Sequence, residues 1–181
     1  MRLNMPISSS LRFDSVATEA TATGRPVSTR LLVIACGDEP FTDAGLGRHI
    51  TRQVSAWQLP GVRGLAVPLL TPDLSPLLTS VELVVFVDAT TECTSHPALV
   101  PLHPEVSPGR LGQAETPAGL LALAHAVFGR CPPAWILRVP AGDFSPGQDF
   151  SATARAGAER ALCQLRHLAQ GLAGRARTTR A

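Results

Sequence analysis

Short apolar runs rich in β-branched residues alternate with stretches of helical periodicity, and this alternation constrains the chain more than any other feature. Leu31-Leu-Val-Ile-Ala35 is a buried strand closed by a turn at Gly37. From Asp43 the apolar residues fall at Leu46, Ile50, Val54 and Trp57, the spacing of a helix with one buried face. Val62 to Leu70 reads as a second strand, and Pro72 to Leu78 as a short helix opened by Thr71-Pro72. Val81 to Val87 is almost wholly apolar and too short for a core helix, which makes it a central strand. Leu99 to Leu102 reads as another short strand. Thr116 offers an N-cap with Pro117 at the first helical position, and Gly129 stops that helix after Phe128. Ala134 to Val139 is the last strand, and a final helix is predicted from about Ala152 to Gln170. Strands alternating with helices at this spacing imply a mainly parallel sheet covered on both faces, a three-layer α/β domain. A ligand site is then expected beyond the carboxyl ends of the strands, at the loops after Ala35 and Val87.

Composition narrows the classes. The 181 residues are 45% hydrophobic and 17% charged, too apolar for a disordered chain. No run reaches the roughly 18 uninterrupted apolar residues of a membrane span. All 16 basic residues are Arg, and against 14 acids the formal charge is only +2, so a nucleic-acid surface is not indicated. Residues 1–29 carry no sustained periodicity and no signal-peptide core; Asp14 and Glu19 argue against an organelle transit peptide. They are expected to be a disordered leader or the product of a misassigned start. Gly171 to Ala181 is small, polar and Arg-bearing, the pattern of a flexible tail, which leaves about 30–170 as the folded body. Cys36, Cys93, Cys131 and Cys163 form no CxxC pair, so zinc of the usual spacing is excluded. Three of them sit in or beside apolar segments, and buried free thiols in a reducing compartment are expected.

The loop Cys36-Gly-Asp-Glu-Pro-Phe-Thr-Asp-Ala-Gly-Leu-Gly47 holds the densest chemistry. Asp38, Glu39 and Asp43 between a strand end and a helix start make either a cation or general-acid site, or, for Asp43, a helix cap. Gly45-Leu-Gly47 lacks the third Gly of a dinucleotide fingerprint. There is no phosphate-binding GxxxxGK[ST] loop and no GxSxG nucleophile elbow. Asp88, at the end of the third strand, is either a site acid or a turn cap. His96 and His103 lie in a Pro-rich loop, where a lone His commonly faces solvent.

From Gly37 to Gly47 the chain resembles the opening of the hydrogenase maturation proteases, which trim the C-terminus of a nickel–iron hydrogenase large subunit. The similarity continues through Leu70-Thr-Pro-Asp-Leu74, Val84-Val-Phe-Val-Asp-Ala89, Pro117-Ala-Gly-Leu-Leu-Ala-Leu-Ala124, Phe128-Gly-Arg-Cys-Pro-Pro133 and Phe144-Ser-Pro-Gly-Gln148, in order and with compatible spacing. The resemblance implies a twisted five-stranded sheet between helices and an endopeptidase, of aspartic type, acting in the cytoplasm as a monomer. It implies a large-subunit precursor as partner and no tightly bound cofactor. The nickel already in the substrate would be recognised through two acids and one His.

Departures from the family pattern bear on that last step. Asp43 matches the first acid of the opening pair, but Ala44 replaces the second, the family's first metal-binding position. Gln113 stands at the position of the His, and Asp73 is the acid nearest the middle ligand position. Ala44 has no donor atom, and a neutral amide oxygen is a poor substitute for imidazole toward nickel. Asp43 and Asp73 are thus the expected metal-facing residues, with Asp38, Glu39, Asp88, His103 and Gln113, beside Glu115, as compensating or rim groups. Three readings remain open: a divergent active endopeptidase, a non-catalytic paralogue that binds a hydrogenase subunit or maturation partner, or an anion site on the amides of Ala44 to Gly47.

Overall fold

The computed structural model describes residues 29–37, 43–92, 96–105, 116–145 and 149–178. The strands are β1 (Leu31–Cys36), β2 (Val62–Val67), β3 (Leu83–Thr90), β4 (Ala98–Leu102) and β5 (Ala134–Pro140). The helices are α1 (Leu46–Ala56), α2 (Ser75–Thr79), α3 (Pro117–Phe128) and α4 (Ala152–Thr178), with one-turn 3-10 segments at Asp43–Gly45 and Pro72–Leu74. One five-stranded sheet has the order β2-β1-β3-β5-β4; only β4 runs antiparallel to its neighbour. The predicted three-layer α/β sandwich is therefore observed.

Strand alternation sorts the core into two layers. Leu31, Val33 and Ala35 of β1, with Val85 and Val87 of β3, pack with Leu46, Ile50 and Val54 of α1 and Ala158, Ala161 and Leu165 of α4. Leu32, Ile34, Val84 and Phe86 face the other way, onto Leu78 of α2 and Leu120, Leu121 and Ala124 of α3. The α1 layer sits close on β2: a Cβ at Gly64 would collide with the Thr51 carbonyl. The α3 ends are set as expected. The Thr116 side chain accepts from Gly119 N at 3.1 Å, and Gly129 adopts φ 70°, the left-handed conformation that ends helices.

Several boundaries differ from expectation, each for a local reason. β2 ends at Val67 rather than Leu70, because β1, its one neighbour in the sheet, ends at Cys36, the residue paired with Val67. Val81 still closes the turn after α2, bonding Leu78 O, so β3 begins at Leu83. It runs on to Thr90 because β5 pairs with it that far, which places Asp88 two residues inside the strand rather than at its end. α4 continues eight residues past Gln170, to Thr178, through the stretch read as a tail; Ala, Leu and Arg outweigh Gly171 and Gly174 there. The leader lies outside the described residues up to position 28.

The cysteine expectation divides. Cys36, Cys131 and Cys163 are free thiols, but Cys36 and Cys163 are exposed and Cys131 is half-buried. Cys163 falls on the solvent side of α4, and Cys36 ends β1 where its Sγ reaches Pro68 O at 3.3 Å. Cys93 lies outside the described residues.

Candidate functional site

With β2 and β3 on opposite sides of β1, the chain leaves β1 in one direction and returns in the other. The gap between the carboxyl ends of β1 and β3 is the place where α/β sheets bind ligands. β1 exits there through Gly37, whose φ of 133° an L side chain rarely adopts. Gly47, in the first turn of α1, lets that helix approach: a Cβ there would lie 2.9 Å from that of Ala35.

Asp43 is the best-defined polar group at this end, only 1% exposed. It does not cap α1, whose N-cap is Gly45 with no side-chain cap bond. Instead its Oδ2 accepts from Gly142 N at 2.7 Å, Asp143 N at 2.8 Å and Ser151 Oγ at 2.7 Å, and its Oδ1 accepts from Ser151 N at 2.9 Å. Ser151 Oγ in turn accepts from Ala154 N at 3.0 Å, which makes Ser151 the cap of α4. Burial alone would raise the Asp43 pKa, but the N–H groups of Asp143, Ser151 and Gly142 and the Ser151 hydroxyl outweigh it and hold the carboxyl below its ordinary range. The side chain thus ties the turn before α1 to the segment before α4, beside the N-terminus of that helix, where negative charge is favoured. His49 on Phe150, edge to face with ring centroids 5.3 Å apart, joins the same two segments.

Asp88 stands near the carboxyl end of β3, in register with Arg138 of β5. Its side chain reaches solvent. Partial burial still pushes its carboxyl up; the Arg138 charge opposes this and Glu92 adds to it. Arg138 Nη1 donates to Glu92 Oε2 at 3.4 Å. Asp73 is exposed in the 3-10 turn of the connection that leaves the carboxyl end of β2. Leu69 and Phe144, also in connections leaving this end, are 70% and 43% exposed.

Asp43, Ala44 and Asp88 therefore lie toward the carboxyl end, and Asp73 lies in the connection that leaves it. His103 does not share that end at the strand level. Antiparallel β4 pairs Leu102 with Ala134, the first residue of β5, so His103 emerges about 13 Å along the strand direction from the level of Asp88 and Arg138. Asp38, Glu39, Gln113 and Glu115 lie outside the described residues. Among the described residues no three His, Cys, Asp or Glu side chains gather closely enough to hold a metal ion. Ser151, Gly142 and Arg138 were not anticipated as partners of the acids; only Ser151 carried a local signal, as a cap-type residue before a helical run.

No family model and no curated protein sequence matches the chain. Solved structures do. NiFe hydrogenase maturation protease HybD from Thermococcus kodakarensis superposes with a TM-score of 0.57 at 18% identity, over 77% of this chain and 99% of that one. Hydrogenase 2 maturation peptidase from a Thaumarchaeota archaeon gives 0.55 at 22% identity, over 79% and 99%. The hydrogenase maturating endopeptidase HybD of E. coli gives 0.54 at 20% identity, over 75% and 89%. The chain has the fold of the NiFe hydrogenase maturation proteases, at a sequence distance that marks it as a divergent example of that fold.

Proposed function

We propose that the protein is an endopeptidase that removes the C-terminal extension of a nickel–iron hydrogenase large-subunit precursor after nickel insertion. The observation that carries this reading is coverage. Nearly the full length of two archaeal maturation proteases superposes on this chain. In this reading the protein acts as a cytoplasmic monomer, and the metal belongs to the substrate. Asp73 and Asp88, whose oxygens reach solvent, face that metal, while Asp43 acts through the loops it joins. Exposed Leu69 and Phe144 grip apolar side chains of the precursor tail. Among the described residues no helix is long and apolar enough to cross a membrane, which agrees with a precursor met in solution.

The test incubates the protein with a large-subunit precursor from the same organism, with and without nickel, and reads the precursor C-terminus by intact mass. Loss of the tail only from the nickel-loaded sample is the expected result. An intact tail, with the protein folded and an active maturation protease cutting the same sample, would overturn the proposal and leave a binding protein in its place.

A further inference from the structure

At the opposite end of the sheet a groove of about 680 Å³ opens between the C-terminal half of α4 and the amino ends of β3 and β5. Leu83, Leu99, Trp135 and Leu168 form apolar walls, and Glu82 and Gln164 contribute polar groups. Gln164 is half satisfied. Its Nε2 donates to Pro97 O at 3.2 Å, while its buried Oε1 has no hydrogen-bond partner among the described residues. Folded proteins normally pair such an acceptor.

The chain enters the fold beside this groove. The Arg30 carbonyl accepts from the N–H of Glu82 at 3.1 Å and of Leu83 at 2.9 Å, and both residues line the groove. The Arg30 guanidinium holds the Glu82 carboxylate through Nε at 2.7 Å and Nη2 at 2.9 Å. Residues 1–28 are therefore joined to the described chain at a point adjoining the groove. Their apolar side chains recur at Met1, Leu3, Met5 and Ile7 and again at Leu11, Phe13 and Val16. In the first group every second position is apolar, the spacing that gives an extended segment one apolar side. From Thr29 back to Phe13 the chain can span about 50 Å when extended, ample to lay these side chains along α4. An extended segment also brings unpaired backbone N–H groups, the complement of Gln164 Oε1.

We propose that the groove is an intramolecular docking site for residues 1–28, whose apolar side chains cover Trp135 and Leu168. This rests on the amino end of the sheet and is independent of the chemistry at the other end.

The test uses Trp135 as reporter in a full-length Trp57→Phe chain, since the protein has only two Trp residues. Acrylamide quenching is compared with that of the same chain carrying Leu3→Asp, Ile7→Asp and Phe13→Asp. Far-UV circular dichroism checks that the substituted chain keeps its fold. Quenching of Trp135 that rises severalfold, with red-shifted emission, is the expected result; equal quenching overturns the proposal. Hydrogen exchange of the Trp57→Phe chain gives a second readout that needs no leader variant. Slowing of at least about tenfold among amides of residues 1–28 is expected, and exchange at free-peptide rates overturns it. Protection of Trp135 that grows with protein concentration, together with a dimer in sedimentation, assigns the groove to a second copy and also overturns it.

Discussion

At the carboxyl end of the sheet, connections are tied by Asp43, a carboxylate almost fully removed from water; at the amino end, β1 and β3 are tied by Arg30 and Glu82, whose side chains are 20% and 52% exposed. The bond lengths overlap, 2.7–2.9 Å in both. The difference lies in what happens when a partner is lost. Water can replace either member of the amino-end pair. Around Asp43, three backbone N–H groups and a hydroxyl would be left facing protein. Distance alone therefore says little about which contact holds the fold, and burial decides.

The largest effect that separates the two ends is expected from Asp43→Ala. Leaving those donors unpaired should cost about 3–4 kcal/mol, enough to lower Tm by roughly 10 °C in a domain of this size. Thermal unfolding measures it, and a change below about 1 kcal/mol would mean that the loops hold without the carboxylate. Acid sharpens the contrast. Because the folded Asp43 pKa is depressed, its stabilisation is fully present above the unfolded value near 4 and is lost as pH falls through the lower folded value. Wild type should therefore lose more Tm than Asp43→Asn between about pH 5 and pH 2.5; parallel losses would assign the acid sensitivity elsewhere. The smallest effect belongs to the amino end. Glu82→Gln should cost no more than about 1 kcal/mol and be screened by salt, as for other solvent-exposed pairs. A loss rivalling that of Asp43→Ala would erase the distinction between the ends.

Local signals were legible where the physics is local. Thr116, Pro117 and Gly129 set both ends of α3 within a dozen residues, and the apolar spacing from Leu46 to Val54 set the buried face of α1. The loop after β1 was also legible as leaving the carboxyl end of the sheet, the end where α/β folds place ligands. The role of Asp43 was not readable, because its hydrogen-bond partners lie 99 to 108 residues away and the same Asp before a helix equally well reads as a cap. Thiol burial failed for a related reason. An apolar neighbourhood in sequence leaves open which way the last residue of a strand, Cys36, or an outer helix position, Cys163, turns.

By itself, then, the sequence determined the order of strands and helices, the three layers and the end of the sheet where a site belongs, since periodicity and strand polarity are written in adjacent residues. Tertiary structure alone decided which acids are sealed and which reach water. It also decided that Asp88 stands beside Arg138 and that antiparallel β4 carries His103 toward the other end. Strand pairing between distant segments sets these placements, and no stretch of the chain encodes the pairing without its partner.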